Sequence, residues 1–423
     1  MVRAGQQTLL MVKVSVVLLC AVTLAACVPQ PTNLPKPTRE LTDTPNPTAT
    51  ITETTIVTPS SVPENTPTTT ATITATLTPI PVPTLAADAA GEIYFTEGQV
   101  PPGTKLKMIQ VDGNGRPAND VVEIVTDPLP PVGAQFTGLL SILPSPDGKK
   151  IIAYRNSEGP SYLVLDVPSG KIQSDTHFYP YHHILGWHPD SSHVLALSNT
   201  GLYLTNWLGW EKEDLVYFGT SFHGRVTAAA VSPNGQQIIY SYNPETNGID
   251  NEVRVIQTND WAYLRLFNHS GNIANFSWSP DGTKIAFWED GYWVMNADGT
   301  ELHKLNELRP GRSFVQFYPP SWSPDNQTLL VSEHRYEELN KSNIFLIDVN
   351  SGETKPLLPD GSQGNWNPVW SPDGQKVAFI SLRSGKPNIW MVNRDGSDLY
   401  QITDNDRYIY SLSYLGPEGL KSQ

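Results

Sequence analysis

Five of the nine histidines fall between residues 177 and 193: His177, His182, His183, His188 and His193. Neutral imidazoles that converge can hold a transition metal or exchange protons near neutral pH. These five follow no recognised ligand spacing, and no cysteine follows Cys27, so no metal is expected. Aspartates recur once per repeat, at Asp147, Asp190, Asp281, Asp325 and Asp373. Converging carboxylates would suit acid–base work. One carboxylate per repeat, next to Pro and usually Gly, instead caps a turn by bonding its own backbone. Asp298-Gly299 and Asp112-Gly113-Asn114-Gly115 superficially fit calcium loops. Arg116 and Pro117 stand where a loop from Asp112 would need an oxygen ligand and a glycine, and no Glu closes a loop from Asp298, so both read as hairpin turns. Gly219-Thr220-Ser221-Phe222-His223-Gly224 is not a G-x-S-x-G elbow, and no P-loop or dinucleotide fingerprint is present. No catalytic set and no cofactor is expected.

The elements that position these groups come from a repeat. Ser145-Pro146-Asp147-Gly148 returns as Trp187-His188-Pro189-Asp190-Ser191, Val231-Ser232-Pro233-Asn234-Gly235 and Trp278-Ser279-Pro280-Asp281-Gly282. Two further copies are Trp322-Ser323-Pro324-Asp325-Asn326 and Trp370-Ser371-Pro372-Asp373-Gly374. The prolines lie 43, 44, 47, 44 and 48 residues apart, the period of a propeller blade. A short apolar strand precedes each phrase, and an alternating strand such as Lys376-Val377-Ala378-Phe379-Ile380 follows it. A third strand (Ile389-Trp390-Met391-Val392), a second Gly turn and a fourth strand complete the period. Four antiparallel strands without a helical pattern make a blade.

Gly416-Pro417-Glu418-Gly419 is a worn seventh copy at the C-terminus. Glu92–Phe95, Leu106–Gly113 and Val121–Val125 supply the remaining three strands of that blade from the other end of the domain. The expectation is an all-β propeller of seven blades, with six if the worn copy does not count. The N- and C-terminal strands close the ring in one blade, which hides the open edges. Loops joining successive blades share one face around the central channel, and they hold His182 and His183, His223, His269, Arg312, Trp366, Arg407 and Tyr408. This face is the expected ligand- or partner-binding surface, since loops on a rigid scaffold carry function.

Ahead of the propeller the chain changes character twice. Residues 1–27 read as a secretory signal: Arg3 and Lys13, an apolar stretch from Val14 to Val22, then Leu24-Ala25-Ala26-Cys27. The uncharged run is too short to span a bilayer. Residues 28–88 are Thr- and Pro-rich, as in Pro45-Asn46-Pro47-Thr48 and Thr66-Pro67-Thr68-Thr69, and read as a disordered tether. The propeller is then expected over 89–423. Formal net charge is −14 without a basic cluster, which disfavours nucleic acid and anionic lipid surfaces as partners.

Leu24-Ala25-Ala26-Cys27 resembles the lipobox of bacterial lipoproteins. That resemblance implies that Cys27 receives a diacylglyceryl group and becomes the membrane anchor, on a cell envelope facing the periplasm or the exterior. The repeated W-S-P-D-G phrase resembles the repeats of TolB-type β-propellers, a WD-like group of periplasmic and surface proteins. Departures occur in the second repeat, where His188 and Ser191 replace Ser and Gly and Trp207-Leu208-Gly209-Trp210 replaces the usual second turn. The expected function is a non-catalytic binding module for an envelope protein, peptide or glycan. The alternatives are a metal-assisted lyase or hydrolase acting on polysaccharide, because some propeller lyases hold a metal with histidines, and a structural subunit of an envelope assembly.

Overall fold

The computed structural model describes residues 89–416, apart from 99–103, 127–138, 157–159, 170, 177–182, 199–200, 208–211, 218–224, 244–250, 261, 272, 309–318, 334–339, 360–362 and 405. Among the described residues, 28 strands form seven antiparallel sheets of four. The protein is a seven-bladed all-β propeller. Numbering blades from the first repeat, their innermost strands are Leu139–Pro144, His183–Trp187, Arg225–Val231, Ala274–Trp278, Ser321–Trp322, Asn365–Trp370 and Tyr408–Leu415.

Blade 6 shows how the phrase builds a blade. Asn365–Trp370 pairs with Lys376–Ser381, which pairs with Asn388–Asn393, then Tyr400–Gln401. At the turn, the Ser371 hydroxyl donates to Asp373 Oδ1 at 2.6 Å and receives the Lys376 N–H at 2.8 Å. Asp373 Oδ1 also accepts from Gln375 N at 3.0 Å. Gly374 takes φ +68°, a region that glycine enters without penalty. The same serine–aspartate clasp recurs at Ser145–Asp147, Ser279–Asp281 and Ser323–Asp325, and Asn234 replaces the aspartate in blade 3. The repeated carboxylates are turn caps.

The departures from the phrase also have a physical reason. Ser191 and Asn326 stand where other blades have Gly, both at positive φ (57° and 61°). Each uses its side chain to accept the N–H of the preceding blade's turn aspartate: Asp147 N to Ser191 Oγ at 3.0 Å, and Asp281 N to Asn326 Oδ1 at 3.1 Å. What these residues lose in backbone comfort is offset by a lateral link between blades. His188 reaches forward in the same way, with Nε2 3.2 Å from the Gly235 carbonyl of blade 3.

The apolar core lies between the blades rather than within them. Among the described residues, seven hydrophobic clusters occupy the seven seams. One example joins Leu330 and Leu346 of blade 5 to Trp370 and Phe379 of blade 6. The phrase tryptophans bridge these seams. Trp187, Trp278, Trp322 and Trp370 donate their indole N–H to the innermost strand of the preceding blade, at Leu143, Ala230, Ser277 and Ser321. A polar tip that finds a partner lets a large aromatic be buried without loss.

Blade 7 closes the ring as expected. Tyr408–Leu415 from the C-terminal end pairs with Ala89–Gly98, which pairs with Thr104–Asp112 and then Val122–Thr126. Gly91 is needed at this junction, because a Cβ there would lie 2.7 Å from the Leu415 carbonyl and 2.5 Å from the Tyr414 ring. Across the seam to blade 6, Arg116 stacks 3.5 Å above the Tyr400 ring and pairs with Asp398 at 2.8 Å. The Tyr400 hydroxyl donates to the Asn114 carbonyl at 3.0 Å. The worn phrase copy at 417–419 lies outside the described residues, as do the signal, Cys27 and the tether.

Candidate functional site

Each innermost strand presents one side to the ring axis, and together they enclose a cavity of about 660 Å³ to which all seven blades contribute. That volume falls in the range of small-molecule sites. One end is bounded by turn residues such as Pro146, Pro189 and Pro233, the other by Ser141, Asn367 and Tyr410. Hydroxyls dominate its polar lining: Ser141, Ser277, Ser321, Ser411 and Ser413. Asp147 is the one carboxylate among the described lining residues, and it is committed to its turn. Burial opposes ionisation there, but the Ser145 hydroxyl and the Lys149 N–H hold its carboxyl below the usual range.

The innermost strands are irregular toward the face where successive blades join. Register shifts interrupt the pairing between Leu139 and Ser141, Ile184 and Gly186, Val226 and Ala228, Ala274 and Ser277, and Trp366 and Val369. Such bulges re-aim side chains. In blades 4 and 6 the bulge carries an asparagine at positive φ, Asn275 at 56° and Asn367 at 49°. Neither was singled out by the sequence reading. The signal was available: each asparagine stands three residues before the phrase tryptophan.

Of the eight residues expected on this face, five are described. They sit at or beside strand ends, not in the middle of loops. His183 begins the innermost strand of blade 2 and is exposed. Trp366 and Tyr408, in the innermost strands of blades 6 and 7, come together with ring centroids 6.4 Å apart and planes at 29°. Tyr410 extends the aromatic run, 5.7 Å from Tyr408. Trp366 is buried, Tyr408 is half-buried, and Arg407 beside it is exposed. None of the five borders the cavity, although their neighbours Asn367 and Tyr410 do. His182, His223 and Arg312 lie outside the described residues.

His269 has a different setting, buried in the seam between blades 3 and 4. Its Nε2 is 3.1 Å from Ser241 Oγ and its Nδ1 is 3.4 Å from Glu289 Oε1. The imidazole beside it holds the Glu289 carboxyl below the usual range despite burial, helped by the Gly271 N–H at 2.7 Å. The order Ser–His–Glu is that of a nucleophile relay. Ser241, however, is 1% exposed and does not border the cavity, so the arrangement works as a clasp between blades. Among the described residues, no three His, Cys, Asp or Glu side chains converge as a metal set.

Residues 313–420 match the family model described as the TolB beta propeller domain. The repeats within that segment are of the TolB β-propeller type. A 153-residue stretch of this chain is 31% identical to the uncharacterized protein Atu1656 of Agrobacterium fabrum, covering 34% of this chain and 47% of that one. Another, of 146 residues, is 24% identical to dipeptidyl-peptidase 5 of Porphyromonas gingivalis, covering 31% and 21%. The match therefore spans less than half the length of these relatives. Among solved structures, an oligogalacturonate lyase in complex with manganese has a TM-score of 0.49 at 12% identity, covering 75% of this chain and 87% of the lyase. TolB from Acinetobacter baumannii has a TM-score of 0.40 at 15% identity, covering 75% and 81%.

Proposed function

We propose that this TolB-type propeller is a lipid-anchored binding module of the bacterial cell envelope. Acylation of Cys27 would anchor it, since several acyl chains hold a protein on a membrane where one does so only marginally. The Thr/Pro-rich segment 28–88 would carry the ring away from the bilayer, and the face where blades join would meet an envelope protein, peptide or glycan.

The observation that carries this reading is the half-buried pair Tyr408 and Tyr410, backed by buried Trp366 and flanked by exposed Arg407, beside a cavity lined by serines and an asparagine. Aromatic and arginine side chains on a rigid scaffold are the usual anchors of recognition surfaces. Among the described groups nearby, Asp147 is engaged in its turn, His269 and Glu289 lie against each other in the blade 3–4 seam, and exposed His183 joins no cluster of three His, Cys, Asp or Glu side chains. That distribution favours binding over acid–base chemistry.

Cross-linking capture from the native envelope tests the proposal, with the intact chain as bait beside a variant carrying His183→Ala, Arg407→Ala and Tyr408→Ala. A partner captured by the native chain and lost with the variant is expected. Equal capture by both, or specific capture by neither, contradicts a binding role for this face.

A further inference from the structure

Among the described residues, two large apolar side chains are exposed, Tyr263 at 63% and Leu264 at 60%, and they are neighbours in sequence. Both belong to Tyr263–His269, the outermost strand of blade 3, and no described strand pairs on its outer side. An outermost strand presents a row of unpaired N–H and C=O groups that accepts another strand unless something guards it. The other blades guard theirs. Val122–Thr126, Lys171–Thr176, Lys212–Tyr217 and His303–Asn306 carry lysine or a carboxylate, at Glu123, Lys171, Lys212 and Lys304. Thr354–Pro356 ends in proline, and Tyr400–Gln401 has only two residues. Among the described strands, the outermost one of blade 3 is the longest of the seven, and it holds no lysine, carboxylate or proline.

The charges on this edge select what covers it. Arg265 lies directly opposite Arg254 in the strand pairing, where like charges repel. Among the described residues, Glu252 is the one carboxylate paired with either of them. Arg254 Nη2 is 2.6 Å from its Oε2, and Arg265 Nη1 is 3.5 Å from its Oε1. Arg254 is also held by the rings of Tyr242 and Tyr263, at 4.5 and 5.0 Å. Asp260, at the hairpin tip, accepts the Ala262 N–H of its own turn. One carboxylate shared by two guanidinium groups leaves a positive charge at this edge, with the Arg265 side chain 58% exposed, on a chain of formal net charge −14. A carboxylate is its complement, whereas a second copy would set arginine edge against arginine edge. Alternation along a strand puts Tyr263 and Arg265 on one side and Leu264 on the other. A strand added here therefore fits best with an acidic residue next to an aliphatic one.

We infer that the outer edge of blade 3 is a docking surface for an extended segment of a partner protein. The segment adds a fifth strand and sets a carboxylate against Arg265 and an aliphatic side chain against Leu264. This is a second surface, apart from the face where blades join, and it does not rest on the role proposed for that face.

Fluorescence anisotropy on the full chain tests it with a labelled, capped Thr-Val-Glu-Val-Glu-Val-Thr peptide. The controls are the same peptide with lysine in place of glutamate, and one N-methylated along its main chain. The glutamate peptide is expected to bind, and both controls are expected to fail. Arg265→Glu and Leu264→Lys should each weaken binding by roughly fivefold or more. Both changes fall on exposed side chains, so melting within a few degrees of the native chain is expected. Equal binding of the lysine peptide overturns the acidic partner, and equal binding of the N-methylated peptide overturns strand addition. Binding unchanged in the variants, or absent from the native chain, overturns the site. A dimer in sedimentation that Leu264→Lys abolishes, without peptide binding, replaces the partner by a second copy.

Discussion

The indole Nε1 of Trp187 donates to the main-chain carbonyl of Leu143, 2.9 Å away in the preceding blade. Three further tryptophans repeat that reach around the ring, so each secures a seam and not its own sheet. Replacing Trp187 or Trp370 by Phe keeps most of the apolar volume and removes the donor. The expected loss is about 1 kcal/mol from the missing hydrogen bond. Replacement by Ala should cost on the order of 3–5 kcal/mol, since a cavity then opens in the seam. Urea unfolding of the two pairs of variants checks both magnitudes.

Closure in blade 7 depends on the close approach of Gly91 to Tyr414 and Leu415. A methyl group at Gly91 should push the two strands apart and cost roughly 1–3 kcal/mol, the usual penalty of overpacking. Alanine at Gly113, where a Cβ would meet nothing within 4 Å, serves as the control and should be nearly neutral. Thermal melting of Gly91→Ala beside Gly113→Ala makes the comparison.

Acid should weaken the ring through its turns. Asp147, Asp281 and Asp325 all have carboxyls below their ordinary range: burial opposes this, but serine hydroxyls, backbone N–H groups and, at Asp325, Arg394 outweigh it. Their folded values lie below the unfolded value of about 3.9, so the stabilisation is fully present above that pH. It is lost as pH falls below about 4 toward the folded values. Melting temperature should be flat from pH 8 to 5 with respect to these groups and fall below pH 4. Asparagine at Asp281 should flatten part of that fall, because Asn234 already makes the same clasp with Ser232 at 2.7 Å in blade 3. Calorimetric melts across pH decide it.

Ser241 should behave as a structural hydroxyl despite the histidine beside it. A fluorophosphonate probe is expected to leave Ser241 unlabelled in the folded chain, since its side chain is closed off in the blade 3–4 seam. Mass spectrometry of the treated protein reads the result. Labelling at Ser241 would move the chain toward the hydrolase alternative. His269→Ala should be destabilising by about 1–3 kcal/mol, because Ser241 and Glu289 then lose a buried partner.

The ring was largely legible in the sequence because each blade repeats its own turn chemistry. Pro, Asp and Gly in fixed order impose a turn whatever lies beyond it, and apolar runs as short as Lys376–Ile380 between turns are strands with both faces buried against neighbouring blades. The closing blade could be read from its missing strands. The face was harder. His269 has the residue type of a ligand, yet its burial is set by Phe267, Ser241 and Glu289, two of them twenty or more residues away across a seam or sheet pairing. Trp366 looks like a surface anchor in sequence and is buried, with the half-buried ring of Tyr408 stacked against it. Asn367 was passed over because its importance comes from a bulge and a left-handed backbone, which depend on pairing with the next strand.

Site-specific photo-cross-linking on the native envelope tests the central proposal most directly. One chain carries the cross-linker at Arg407, on the face where blades join, and another carries it at Asp298, an exposed turn residue on the opposite face. A discrete adduct from position 407 and none from 298 is the predicted result. Adducts from 298 alone, or equally from both, would contradict a binding role for the joining face.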